Sequence, residues 1–487
     1  MSYISYLCKP MKKHFSLLVI SLFLPLVLWA VCGILPTFDD YTSLQSPWWV
    51  QIADPGYFFP DSVRRPFDAL LGGIVGWKPA LFPTLNHVLI ILGHTAATCL
   101  VYALCQKLRM GTIATNVATF FFFFSPATLG ATLACDGFNQ TFAQLWGLLA
   151  LWSYLSSSSS NKWLLCVLLA VLSKENGLAW AVVPPLVAYA FHLSDRRQTI
   201  RGVCKGLLVA IAYMAIYATL AFTGMLEYVD EYSETSLLSH LKDFVQLMAY
   251  TWVPLDYMSA VYPPTRNWLI VGVTLILSLP FLAMLASKWQ LLKIRTLPLL
   301  IACFFILVFP HLLTLVSIMH NYAALSMAAL IIAFIVSHIA NSRMLIITFI
   351  LFMAVALFTD VRHYVAARES GLLGKHLAQQ AISQTIGADS RAGLPPSRVL
   401  CINIENPEEP RYSSFCVRPI DAFAWGLSVR YYSHYEWKTH IDVETLSEYD
   451  PQKVEAIADS AFHAGNEAVW IVGQDKENLI ILQDGTY

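Results

Sequence analysis

Long apolar runs separated by short polar stretches fill the first 360 positions of the chain. A helix needs roughly 20 apolar residues to cross a bilayer. On that measure the pattern predicts spans near 15–35, 84–106, 112–133, 140–157, 162–173, 177–193, 203–224, 267–287, 297–318, 322–340 and 344–359. The fifth is too short to cross alone, so 162–193 reads as two helices joined by a tight polar turn at "SKEN". Beyond residue 360 the pattern changes. "RVLCINI", "EAVWIVG" and "NLIILQ" read as short buried strands, and "PQKVEAIADSAFHAG" as a helix with Pro at its start and Gly at its end. The predicted architecture is a polytopic α-helical membrane protein of about 11 transmembrane helices over residues 1–360, followed by a small α/β domain over 361–487. Residues 36–83 form its first outer loop, where Trp48, Trp49, Tyr57, Phe58 and Phe59 mixed with charge predict helices lying in the headgroup layer.

Composition agrees with this picture: 57% of the 487 residues are hydrophobic, 13% are charged, and the mean hydropathy is +0.56. Charge then sets orientation, because cytoplasmic loops of membrane proteins carry the excess of Lys and Arg. With the N-terminus inside, fourteen Lys and Arg fall in inner segments and six in outer ones up to the last span. An odd number of spans puts the tail outside, which makes the α/β domain extracytoplasmic, and we place the chain in a bacterial inner (plasma) membrane with its active face outward. The first span follows "KPMKKHF" but is too long for a signal and lacks a small-x-small cleavage site, so it reads as an uncleaved anchor. From residue 369 onward seventeen acidic and nine basic residues make nucleic acid an unsuitable partner. Cys401 and Cys416 lie in this tail, where a disulfide between them and a pair of free thiols both fit.

The candidate chemistry begins at "ILPTFDDYTS". An Asp at the centre of a spanning helix costs about 2.5–3.5 kcal/mol on insertion scales. Asp39 and Asp40 therefore emerge at the outer interface once Pro36 has ended the helix. A helix N-cap accounts for such a pair on its own. Further charges on the same face favour chemistry: Arg64 and Arg65 in "SVRRPF", Asp136 in "ACDGFNQT", and Lys174 with Glu175 in "LSKENG". A carboxylate able to take a proton, near cations able to hold a phosphate, is what glycosyl transfer from a lipid phosphate requires. Nucleotide sugars are made inside and do not cross, so an outward-facing transferase draws on a lipid-linked sugar. His87 and His94 lie seven apart on one face of the second span, where packing is the commoner role and an accessory site role the alternative. Asn139-Gln-Thr141 matches a glycosylation acceptor but sits beside a span. No cofactor is indicated; a divalent metal stays open without being indicated.

"TFDDYTS", "RRPFDALL", "LNHVLIILGHTAATCLVYAL" and "LLAVLSKENGLAWAVVPPL" together resemble the GT-C superfamily of glycosyltransferases, most closely the branch of protein O-mannosyltransferases and tetratricopeptide-bearing transmembrane O-mannosyltransferases. The resemblance covers about residues 15–200 well and 200–360 in layout. It implies an inverting transfer from a polyprenyl-phosphate sugar to a protein or glycan/lipid acceptor. The catalytic base falls on Asp39 or Asp40, with Asp39 preferred, and Asp136 is the acidic residue of the second outer loop. Lys174 and Arg65, with Arg64 beside it, fall at the donor phosphate, and Glu175 is accessory. The chain departs from the branch at "MHNYAAL", where His320 and Asn321 stand in place of Glu-Arg, and in lacking a repeat tail. Two other classes compete. A transporter or flippase needs charges near the midplane and paired broken helices, whereas here the charges cluster at helix ends. A glycan polymerase or ligase works from a large late outer loop, and residues 225–266 carry a single arginine, Arg266.

Overall fold

The computed structural model describes residues 14–43, 65–157, 160–223, 237–260, 266–313, 318–387, 395–405, 418–434, 437, 439–475 and 477–483. The chain divides into two compact units. One comprises Met1–Cys32, Leu44–Asp256 and Trp268–Val361, the other Gly33–Ser43, Tyr257–Asn267 and Arg362–Tyr487.

The first unit is helical. Its main elements are α1 (Phe15–Val31), α2 (Pro66–Trp77), α3 (Thr84–Lys107), α4 (Thr112–Phe124), α5 (Phe138–Ser156), α6 (Lys162–Ser173), α7 (Val183–Ala190), α8 (Arg196–Phe222), α9 (Leu237–Trp252), α10 (Trp268–Ala286), α11 (Thr296–Val308), α12 (Tyr322–Val336) and the first part of α13 (Ser342–Gly387). Every apolar run of the sequence carries helix, but helix and complete span are different things. Among the described residues five helices are long and apolar enough to cross a membrane. The pair Thr112–Phe124 and Pro126–Thr132, bent by 44°, makes a sixth if it counts as one span. Phe15–Val31, Lys162–Ser173 and Thr296–His311 are apolar but shorter, so the count of 11 is not confirmed. α5 is 19 residues long, but its first two turns carry Asn139, Gln140, Thr141 and Gln144, which lower its hydropathy.

Burial separates the inside of this unit from its outside. Every residue of α12 is buried, whereas α8 exposes Leu208 (67%) and Phe222 (91%). Apolar side chains turned outward along a whole helix suit hydrocarbon and not water, and the chain is an integral membrane protein. Between α6 and α7 the backbone tightens into a 3-10 segment, Glu175–Ala181. Small residues let it pack this closely. A methyl at Gly147 would overlap the indole of Trp180, one at Gly206 the carbonyl of Ala181, and one at Gly177 the carbonyl of Ala170.

The second unit is built on a four-stranded sheet, β1 (Arg398–Ile404), β2 (His440–Leu446), β3 (Ala468–Val472) and β4 (Ile480–Gln483), in the order β2-β1-β3-β4. β1 runs parallel to both β2 and β3, and β4 is antiparallel to β3. Parallel strands need crossovers; α14 (Pro451–His463) supplies the one that carries the chain from β2 past β1 to β3. Strand alternation then divides the core. Val399, Cys401 and Trp470 pack with Leu377, Ala378 and Ala381 of α13. Leu400, Ile402, Val469 and Ile471 pack with Val454, Ala458 and Ala461 of α14. α13 is 46 residues long and continues well past the apolar run 344–359, because its distal turns supply one cover of the sheet. The 3-10 turn Phe38–Ser43 belongs to this unit as well, with Phe38 5.1 Å from Trp425 and Tyr41 5.9 Å from Tyr431 between ring centroids. Residues 44–64, with most of the aromatic stretch expected at the headgroups, lie outside the described residues.

Where β1 ends, the buried Arg418 donates from Nε and Nη2 to Asp421 (2.8 and 3.0 Å) and from Nη1 to Glu405 (2.9 Å). Removing one partner of a buried ion pair costs about 3–5 kcal/mol. Arg418→Leu in the full-length protein is therefore expected to weaken hydrogen-exchange protection of the β1 and β3 amides by more than about 100-fold, with protection in α12 unchanged.

Candidate active site

Three turns of the first unit bring its charges together. Pro66 opens α2 at the first helical position, where its missing N–H costs nothing, and fixes Arg65 just ahead of the helix. Arg65 Nε donates to both carboxylate oxygens of Glu175 (3.1 and 3.2 Å), and Nη2 donates to Oε2 at 2.8 Å. Such a two-pronged guanidinium–carboxylate contact is strong and sets direction. Glu175 starts the 3-10 segment, where a negative charge is also favoured by the peptide dipoles. Lys174, in extended backbone between α6 and that segment, is half-buried. The third turn, Cys135–Gly137, holds Asp136 ahead of α5. It is braced by α3, with Asn86 Nδ2 donating to the Cys135 carbonyl at 3.2 Å and His87 Nε2 lying 3.4 Å from Cys135 Sγ.

The protonation states follow from burial. Burial and the neighbouring Arg65 charge lower the Lys174 ammonium from 10.5 to about 8, against the pull of Glu175, Asp136 and Asp68. Burial raises the Asp136 carboxyl above its ordinary value, against the pull of Lys174. Arg65 is paired with Glu175, and Lys174, titrating near 8, is mostly charged at neutral pH, so the corner sets two cations beside carboxylates.

Not every predicted residue joins this corner. Asp40 lies in the second unit, 4% exposed, and its Oδ2 accepts from the Thr37 amide at 2.9 Å. This is the reaching-back half of a helix cap. The side chains of Asp39 and Arg64 lie outside the described residues, as does Cys416. Cys401 is buried on β1, where burial pushes its thiol up to about 12, and among the described residues it has no disulfide partner. His94 is engaged at both nitrogens, Nδ1 with the Tyr322 hydroxyl (2.8 Å) and Nε2 with the Phe123 carbonyl (3.1 Å), so it ties α3 to α4 and α12. His87 supports the Asp136 turn. Among the described residues no three His, Cys, Asp or Glu side chains are grouped as a metal ion's ligands. The sequence reading passed over Asp68, which adds a carboxylate to the electrostatics of Lys174 and Asp136. It also passed over Gln140, Asn176 and His311, which gather beside the same turn. Asp68 was visible inside "RRPFDALL"; the other three carry no signal before the chain is folded.

The lowered Lys174 sets a pH dependence. Only the ammonium form of Lys174 carries the charge that the expected phosphate contact needs, and that form is lost from the free protein as pH rises through about 8. A phosphate monoester is already dianionic above its second pKa of about 6, so affinity for a short-chain polyprenyl phosphate is expected to fall between pH 7 and 9. Lys174→Arg keeps its charge over this range and is expected to flatten the profile. Microscale binding titrations at half-unit pH steps provide the measurement.

No family model matches the chain. A protein O-mannosyl-transferase of Caenorhabditis elegans is 30% identical over 132 residues, which cover 26% of this chain and 19% of that relative's length. Among solved structures, the archaeal oligosaccharyltransferase AglB from Archaeoglobus fulgidus, in complex with an inhibitory peptide and a dolichol-phosphate, aligns over 95% of this chain and 70% of its own, with a TM-score of 0.43 and 13% identity. The chain is thus an integral membrane protein similar, over about a quarter of its length, to a protein O-mannosyltransferase, the branch of GT-C glycosyltransferases that its own motifs resemble.

Proposed function

We propose that this protein transfers one sugar from a polyprenyl monophosphate to a protein or glycan/lipid acceptor on the outer side of the membrane, with inversion at the anomeric carbon. The observation that carries the reading is the convergence of Arg65 and Lys174 with Asp136 and Glu175 at polar turns of a membrane bundle. Such cations stabilise a departing lipid phosphate. In the reaction an acceptor hydroxyl attacks the anomeric carbon and its proton passes to Asp39. The bond from that carbon to the phosphate oxygen breaks, and polyprenyl phosphate leaves as an anion held by Lys174 and Arg65. Asp39 is the better candidate base because the Asp40 carboxylate is already engaged by the Thr37 amide. The bias of Lys and Arg between alternate loops supports an outward-facing site.

A purified preparation assayed with a panel of polyprenyl-phosphate sugars tests the proposal. Asp39→Asn is expected to lower turnover by about 100-fold or more, the usual worth of a general base. Asp40→Asn retains an oxygen able to accept from Thr37 and is expected to stay active. Lys174→Met is expected to depress turnover more than Lys174→Arg. Inertness of the wild type toward every donor, together with transport of a solute, would sink the reading.

A further inference from the structure

Next to the charged corner lies a set of uncharged polar side chains with spare hydrogen-bonding capacity. Asn176, two residues after Lys174, directs its Nδ2 to Gln140 Oε1 at 2.8 Å and to His311 Nε2 at 3.2 Å. The rings of His311 and His320 stack with centroids 4.5 Å apart and planes 23° apart. Four elements supply these groups: α5, the 3-10 segment Glu175–Ala181, and the short 3-10 turns Phe309–Leu313 and Ile318–Asn321. Gln140 is 1% exposed, Asn176 8% and His311 4%. Among the described residues, Gln140 Nε2 and Asn176 Oδ1 are nonetheless without a hydrogen-bond partner. Exchanging the oxygen and nitrogen of both amides changes which atoms are bonded, but each amide still has one unused end, so the conclusion does not depend on that assignment.

An unused amide end in a protein interior is costly. Polar residues that only tie helices together use their groups on one another. Here the amides offer one donor and one acceptor beside the lysine assigned to the phosphate, and two imidazoles lie next to them. A sugar hydroxyl both donates and accepts.

We propose that Gln140, Asn176, His311 and His320 form the subsite that binds the hydroxyls of the donor's sugar, so that Lys174 holds the phosphate and Asn176, from the same turn, holds the ring attached to it. This subsite rests on the proposed transfer from a polyprenyl phosphate, and it assigns positioning to residues that a phosphate-binding role does not need.

The test compares binding of a bare short-chain polyprenyl phosphate with binding of its mannosyl and glucosyl esters, in wild-type protein and in Asn176→Leu and Gln140→Leu. Leucine matches the size of these side chains without their hydrogen bonds. The expected result is a sugar-bearing ligand favoured by the wild type, a loss of about tenfold or more of that preference in the variants, and binding of the bare phosphate unchanged within about twofold. Should Asn176→Leu fail to fold, Gln140→Leu, at the other end of the same hydrogen bond, gives the reading alone. Variants that keep the full preference overturn the subsite and leave the proposed reaction standing. An equal loss for bare and sugar-bearing ligands, accompanied by a lowered melting temperature, also overturns it, because that is the signature of a helix tie. A wild type that binds neither ligand overturns the proposed reaction and the subsite with it.

Discussion

Glu175 is clamped by two nitrogens of Arg65, a residue 110 positions earlier in the chain, and the charges of both partners act on the protonation of Lys174. Charges in a poorly solvated turn are expensive, and they persist when their geometry compensates them. Arg65 and Glu175 compensate each other directly. Lys174 then feels a guanidinium that disfavours its proton and carboxylates that favour it, with burial tipping the balance downward. Asp136 is tipped the opposite way by the same burial. Two groups whose protonation is pushed toward the neutral range from opposite sides make a corner that responds strongly to one added anion.

The helical part of the fold was legible because a bilayer leaves the backbone few choices: with no water to satisfy its amides, each long apolar run must be helix. That argument does not say where a helix stops or bends. The run 177–193 divides into a 3-10 segment and α7, since Gly147, Gly177 and Gly206 admit a tight approach and Pro184 and Pro185 restart the helix. α13 outlasts its apolar run because past Val361 its pattern changes from continuous hydrophobicity to a stripe that covers the sheet. In the second unit β1, β3, β4 and α14 were readable from apolar strands and from the Pro and Gly at the helix ends. β2 was not, because it is an edge strand paired on one side and carries Asp442 at a partly exposed position and Glu444 at an exposed one.

The candidate site was legible where it is charged. Arg65, Asp136, Lys174 and Glu175 stood out because ionised residues are rare in such a chain and must cluster where a membrane helix ends. The capping role of Asp40 was also within reach of the sequence, since a carboxylate three residues into a helical turn commonly binds back to the residue that opens it. The neutral polar groups were not legible. Gln140 and Asn176 are 36 positions apart, Asn176 and His311 135 apart, and an amide or imidazole in a helix has no pattern that distinguishes a ligand contact from a helix tie.

The 3-10 segment links the two halves of the site. In a 3-10 helix successive residues point about 120° apart, against 100° in an α-helix. Glu175 and Asn176 are consecutive, and they reach different sides of the bundle: Glu175 meets Arg65 ahead of α2, Asn176 meets Gln140 on α5 and His311 beyond α11. Lys174, still in extended backbone, precedes both. A charged contact and an uncharged one are thus fixed within three residues of one another. Their spacing is held by glycine contacts that no larger side chain would permit. A phosphate and a sugar ring joined by one oxygen are likewise separated by only a few ångströms. In the proposed site a turn of this tightness, unlike a flexible loop, gives that short separation a rigid counterpart in the protein.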